Sequence, residues 1–422
     1  MFQMNTLKNR LKVITHYMPD SHGVTAGIFV GTGSRYENSG HAGISHFLEH
    51  MFFKGTKKRP TPADISRSIE AIGGHANAAT SQDYTFFYNQ VPPSHARTAL
   101  EVLSDMINNS LFERDAITRE KLVVLEELNM YLDTPSRYVY DILMNLTWPR
   151  TDLGRDVIGA QSSINAIQRQ DILDYINANY QPQNTVVSVA GKFSRAAILK
   201  DIDKYFGSAE NKKLPVFKKV RDTQTRARVH IHTKKTDQVH LALGVPSLPY
   251  NHKDEPALTL LDTILGSNMS SRLFLNIRER QGLCYSIHSF VEKFAETGLF
   301  GIAAGLNTAK INEAIRSIVG ELVKLTKEKV SSSELDNAKE YLKGNLYLQM
   351  DSTDYMAIWY GGQGLFGKNI KTPERKIDEL SRVKENDINR LAGKLFRKEK
   401  FNLAVIGPFG EKDEKRFLKL LN

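Results

Sequence analysis

Val24-Thr-Ala-Gly-Ile-Phe-Val30, followed after a loop by Ile44-Ser-His-Phe-Leu-Glu-His-Met-Phe-Phe53, is the stretch on which the reading of this 422-residue chain turns. The first segment is short, apolar and rich in β-branched residues, which predicts a buried strand; the second carries helical apolar spacing. The same succession returns as Val239-His-Leu-Ala-Leu-Gly-Val245 and Ala257-Leu-Thr-Leu-Leu-Asp-Thr-Ile-Leu265. Two further pairs keep the order. Leu125-Glu-Glu-Leu-Asn-Met-Tyr-Leu132 is echoed by Leu342-Lys-Gly-Asn-Leu-Tyr-Leu-Gln349, and Thr185-Val-Val-Ser-Val-Ala-Gly191 by Phe401-Asn-Leu-Ala-Val-Ile-Gly407. Matching points lie about 215 residues apart, the mark of an internal duplication.

Each half mixes period-two strands with longer amphipathic helices, and the strands group as hairpins, for example around Asp83-Tyr-Thr-Phe-Phe-Tyr-Asn-Gln-Val91. The expected fold class is therefore α+β, with two homologous domains, each a mostly antiparallel sheet covered by helices. The segment Gly207-Ser-Ala-Glu-Asn-Lys-Lys-Leu-Pro-Val-Phe-Lys-Lys219 is polar, charged and proline-containing, as a linker would be. The expected boundaries are 1–210 for the first domain, 211–227 for the linker and 228–422 for the second domain.

Composition narrows the function. With 41% hydrophobic and 25% charged residues the chain is globular rather than disordered. It contains no apolar run of the roughly 18 residues a membrane span needs. Its start, Met1-Phe-Gln-Met-Asn-Thr-Leu-Lys-Asn-Arg10, has no apolar signal core, so the expected location is the cytoplasm. One cysteine, Cys284, excludes an intrachain disulfide and any thiolate-cluster metal site, which leaves histidine and carboxylate as metal ligands. The formal charge of +10 raises the question of nucleic acid. The basic residues are scattered among acids without interleaved aromatics, so a solvated basic surface is expected and no nucleic-acid partner.

His46 and His50 are four apart on an apolar-periodic helix, and both imidazoles leave it on one face. Glu49 lies at the edge of that face, within reach of a water activated by a metal. This is the inverted order of the His-Glu-x-x-His zinc motif. Catalytic zinc takes three protein ligands and keeps one position open. Glu49 then serves as general base rather than ligand. Leu48, Met51, Phe52 and Phe53 surround the histidines with apolar sequence, where unpaired imidazoles would be costly to bury. A third ligand is needed, and the helix Arg119-Glu-Lys-Leu-Val-Val-Leu-Glu-Glu-Leu-Asn129 offers carboxylates. Glu120 and Glu127 share a stripe with Val124 and Tyr131, while Glu126 shares one with Val123 and Met130; helix geometry leaves both Glu126 and Glu127 open. His41 and His75 are further possibilities without helical spacing to the pair.

Gly43-Ile-Ser-His-Phe-Leu-Glu-His-Met-Phe-Phe-Lys-Gly-Thr56 resembles the signature of the pitrilysin-type (M16) metallopeptidases, and most closely their short-chain branch around the mitochondrial processing peptidase. The resemblance implies one Zn²⁺ per chain on His46, His50 and Glu127, with Glu120 in support and Glu126 outside the metal shell. Gly73-Gly-His-Ala-Asn-Ala-Ala-Thr80 looks like the family's substrate-side strand, with Asn77 and Ala78 at the matching positions. An edge strand there would take an extended peptide as an added strand. Arg278-Glu-Arg-Gln-Gly-Leu-Cys-Tyr285 resembles a segment whose Arg and Tyr hold the substrate backbone, which assigns that role to Arg278 and Tyr285; both donate to a developing oxyanion. Gly266-Ser-Asn-Met-Ser-Ser-Arg-Leu273 is similar to the loop that precedes it, so the likeness spans essentially the whole chain.

In the repeat, His46, Glu49 and His50 face Thr259, Asp262 and Thr263, and Glu127 faces Gly344, so the second copy is expected to hold no metal. The resemblance further implies that one chain forms half of a clam-like chamber. A homodimer is expected, with a heterodimer as the alternative, in which Arg278 and Tyr285 of one chain complete the zinc site of the other. The implied activity is that of a zinc-dependent endopeptidase acting on unfolded or short peptides, presequence-like ones included. The alternative is a non-catalytic assembly subunit of the same fold. Such subunits lose the metal residues, whereas His46, Glu49, His50 and Glu127 are all present here.

Overall fold

Seven successive apolar or small residues at Val24–Val30 need cover on both faces of a sheet, and the fold supplies it. The computed structural model describes residues 2–367 and 369–421. The strands are β1 (Phe2–Thr6), β2 (Lys12–Tyr17), β3 (Val24–Val30), β4 (His75–Thr80), β5 (Thr85–Val91), β6 (Thr185–Gly191), β7 (Arg228–Thr233), β8 (Val239–Ser247), β9 (Cys284–Lys293), β10 (Gly298–Leu306) and β11 (Asn402–Gly407). They form two sheets, ordered β1-β2-β6-β3-β5-β4 and β7-β11-β8-β10-β9.

The duplication is explicit in the pairing. In the first sheet β2 runs parallel to β6, and the pairs β6–β3, β3–β5 and β5–β4 are antiparallel. In the second, β7 runs parallel to β11, and β11–β8, β8–β10 and β10–β9 are antiparallel. Five strands thus repeat in the same order and the same sense, and β1 is an addition to the first sheet. The segment between Phe206 and Arg228 forms neither helix nor strand.

The chain makes two compact units. The first comprises the residues up to Asn129, Asp156–Lys218 and Tyr347–Thr372; the second comprises Met130–Arg155, Lys219–Leu346 and the residues from Pro373 onward. Alternation along each central strand feeds two cores. In the first unit Ile28, Val30, Val187 and Val189 join a core with Phe47, Leu48, Leu100 and Leu103. Their neighbours Phe29, Val186 and Ala190 turn the other way, onto Met356, Ala357 and Tyr360 of helix Thr353–Phe366. That helix comes from the second half of the sequence. Gly361 and Gly364 let it lie close: a Cβ on Gly361 would sit 2.2 Å from the Phe29 ring, and one on Gly364 2.6 Å from Ile14 Cδ1. In the second unit the reciprocal cover is helix Pro135–Thr147, whose Val139, Ile142 and Leu143 pack on Ala242, Ala404 and Ile406.

Candidate active site

Helix Ile44–Met51 buries Ile44, Phe47, Leu48 and Met51 against the first sheet's core. Those positions follow the helical repeat, so His46, Glu49 and His50 leave the opposite side and are half-buried. The start of the helix is built to an unusual plan. Gly43 takes the left-handed conformation, φ 94°, and a Cβ there would meet the Ile158 carbonyl oxygen at 2.4 Å. The buried Glu37 carboxylate accepts from the Gly43 and Ser45 amides, each at 2.8 Å, and places negative charge at the positive end of the helix. Beneath it, Ser45 Oγ lies 2.7 Å from the Tyr175 hydroxyl.

Helix Arg114–Leu132 brings the carboxylates. Glu127 Oε2 lies 3.7 Å from His46 Nε2 and 3.5 Å from His50 Nε2. One donor atom from each of the three residues falls within 4.8 Å of the others, and this is the one such cluster among the described residues. Ligand atoms on a tetrahedral zinc with bonds near 2.1 Å are about 3.4 Å apart, so two imidazoles and a carboxylate at these separations fit zinc with a position to spare. Glu126 is exposed on the same helix. His75 is exposed on β4, and His41 Nε2 lies 3.5 Å from Asp171 instead of joining the cluster.

Glu120 is buried two turns earlier on the same stripe of that helix. Its Oε1 accepts from His50 Nδ1 at 2.8 Å, and its Oε2 meets Lys54 Nζ at 2.7 Å. A proton held on Nδ1 leaves the Nε2 lone pair of His50 for a metal. Burial favours protonation of Glu120, but the His50 and Lys54 bonds outweigh it and hold the carboxyl below its ordinary range. His50 feels burial first, which lowers it; the Glu120 bond and the Glu127 and Glu49 charges more than compensate, so its pKa rises. His46 is different. Burial, aided by the His50 charge, lowers it to about 4, which keeps the ring neutral and ligand-competent near neutral pH. Burial pushes the Glu49 carboxyl above its ordinary range, opposed by a hydrogen bond from Thr80 Oγ1 at 2.6 Å. A raised carboxyl beside a cluster of possible metal ligands is suited to taking and returning a proton.

Asn77 and Ala78 sit on β4, the terminal strand of the first sheet, and the Asn77 side chain accepts from the Ala78 amide at 2.8 Å. Arg278 lies on the helical turn Phe274–Arg280 with its guanidinium 4.4 Å from the centre of the Phe274 ring. Tyr285 is on β9 and 76% exposed. In the second unit, Thr259 and Thr263 spend their hydroxyls on helix carbonyls, and Asp262 accepts from Ser267 at 2.7 Å. Two residues that the sequence reading passed over belong to the site. Lys54 follows helix Ile44–Met51 and Thr80 ends β4, but a lysine after a helix and a threonine ending a strand carry no signal of their own.

Residues 12–161 match the family described as "Insulinase (Peptidase family M16)", and residues 166–342 match "Peptidase M16 inactive domain". The chain is 36% identical over 412 residues to the "Uncharacterized zinc protease YmxG" of Bacillus subtilis, covering 97% of this chain and 99% of that one. It is similar in fold to "a protease from Helicobacter pylori", with TM-score 0.91 and 24% identity over 97% of this chain and 99% of that chain. A chain of Complex III2 from Candida albicans has the same fold, with TM-score 0.85 and 17% identity over 99% of both chains. The duplicated sheets, the His46–Glu49–His50 helix and the full-length likeness to YmxG agree: the chain belongs to the M16 peptidase family.

Proposed function

We propose that the protein is a zinc-dependent endopeptidase that hydrolyses unfolded or short peptides. The observation that carries the reading is the convergence of His46, His50 and Glu127 on one point, with Glu49 beside them. His46 and His50 would hold Zn²⁺ through Nε2 and Glu127 through a carboxylate oxygen. The ion supplies Lewis acidity, enough to bring the pKa of a water toward about 7. Glu49 would take the proton of the water that attacks the scissile carbonyl carbon and return it to the leaving amine. Glu120 orients His50, and Lys54 holds Glu120. The outer edge of β4, with Asn77 and Ala78, receives the peptide as an added strand, and backbone hydrogen bonds give affinity with little demand on side chains. Arg278 and Tyr285 serve as substrate-binding groups, supplied by the second copy of a homodimer. Among the described residues no helix is long and apolar enough to cross a membrane.

Three measurements test this. Digesting a mixed peptide library and reading the cut sites by mass spectrometry should give internal cleavages that a chelator abolishes and zinc restores. The Glu49→Gln protein should retain zinc by metal analysis and lose activity by about 100-fold or more; a zinc-loaded, fully active Glu49→Gln protein would sink the assignment. Sedimentation should show a dimer.

A further inference from the structure

A general base needs one oxygen free and the rest of the group held still. Among the described residues the Glu49 side chain makes one hydrogen bond, from Thr80 Oγ1 to Oε2. The bond is short, 2.6 Å, and occupies the oxygen that does not have to act. Thr80 is the last residue of β4, and its partner across the ladder is Thr85 of β5. A β-branched side chain in a strand is stiff at χ1, so its hydroxyl has a defined position relative to the backbone. Glu49, by contrast, has three rotatable bonds and stands half-buried on a helix. Holding it therefore falls to Thr80.

The strand that holds the base is the one proposed to receive the peptide. Among the described residues β4 pairs with β5 on one side and has no strand on the other. We propose that Thr80 is a positioning residue: its hydroxyl fixes the Glu49 carboxylate in register with β4, leaving Oε1 for proton transfer to a peptide bond laid along that strand. The inference rests on the zinc-peptidase reading above. Loss of alignment at a reacting centre costs about 10- to 100-fold in rate even when every reacting group is present.

The test uses Thr80→Val, which keeps shape and removes the hydroxyl, and Thr80→Ser, which keeps the hydroxyl. Each zinc-loaded protein is assayed on a quenched fluorescent peptide cut by the wild type, with zinc content and melting temperature recorded. Thr80→Val should lower kcat by about 10- to 100-fold with KM, zinc content and melting temperature unchanged. Thr80→Ser should recover most of the lost kcat. A crystal structure of zinc-free Thr80→Val should show the Glu49 carboxylate moved from its wild-type position. Wild-type kcat in Thr80→Val, a defect confined to KM, or a Ser variant as slow as Val would overturn the proposal. Should the wild type cut no peptide at all, the zinc-peptidase reading fails separately. The zinc-free structures then decide the positioning claim: a displaced Glu49 supports it, and an unmoved one refutes it.

Discussion

Replacing Glu120 with Gln changes little volume and removes one charge, yet on the zinc-peptidase reading it should weaken zinc binding strongly. The carboxylate serves two donors at once, His50 Nδ1 at 2.8 Å and Lys54 Nζ at 2.7 Å. An amide has one oxygen and one NH₂, so it can satisfy only one of them as acceptor. Its oxygen goes to Lys54, which is always a donor at neutral pH. The NH₂ then faces His50 Nδ1, and a neutral ring accommodates it only by carrying its proton on Nε2. That is the atom a metal needs. Zinc binding must undo this tautomer and break its bond, and changes of this kind weaken metal sites by about 10- to 100-fold, or 1.4–2.7 kcal/mol. A competition titration against a fluorescent zinc chelator at pH 7 measures the difference directly, without reliance on activity. Glu126→Gln, on the exposed side of the same helix, is the control and should bind zinc as the wild type does. If Glu120→Gln matched the wild-type dissociation constant, the tautomer argument would be wrong.

Two further outcomes follow from groups around and beyond the site. Gly43→Ala should destabilise the zinc-free protein by about 2–4 kcal/mol, since φ is 94° there and the new Cβ meets a backbone oxygen at 2.4 Å; an unchanged denaturation midpoint would refute it. In the second unit, burial disfavours the Glu255 carboxylate, but Lys293 at 3.0 Å and Lys376 outweigh burial and bring its pKa down from 4.5 to about 2. A depressed folded-state pKa contributes stability that is fully present above the unfolded value and lost as pH falls through the folded one. Glu255→Gln should therefore cost about 3 kcal/mol at pH 7, a deficit that shrinks between pH 4.5 and 2 in urea denaturation. A deficit independent of pH would contradict the ion-pair explanation.

How much of this was legible beforehand depends on the range of the interactions involved. Helical period alone puts His46, Glu49 and His50 on one face and Phe47, Leu48 and Met51 on the other, and the sheets repeat in the order that the duplicated strands imply. Both follow from neighbours in the chain, whose side-chain directions are set by backbone geometry. The choice between Glu126 and Glu127 is of another kind. Adjacent residues point about 100° apart on a helix, so which one meets the imidazoles is set by the rotation of Arg114–Leu132 against the rest of its unit. Period could not supply that rotation; the resemblance pointed to Glu127, and the packing brings Glu127 to the rings.

Lys54 and Thr80 were invisible for the same reason, because their meaning lies in Glu120 and Glu49, far away in the chain. The helices Thr353–Phe366 and Pro135–Thr147 make the point at larger scale, since an apolar face does not record which sheet it will cover. The sequence by itself determined the duplicated topology and a helix presenting two histidines and a glutamate, because those rest on local periodicity. Only the tertiary structure decided which carboxylate, which lysine and which hydroxyl surround them, because that depends on which faces of distant elements meet.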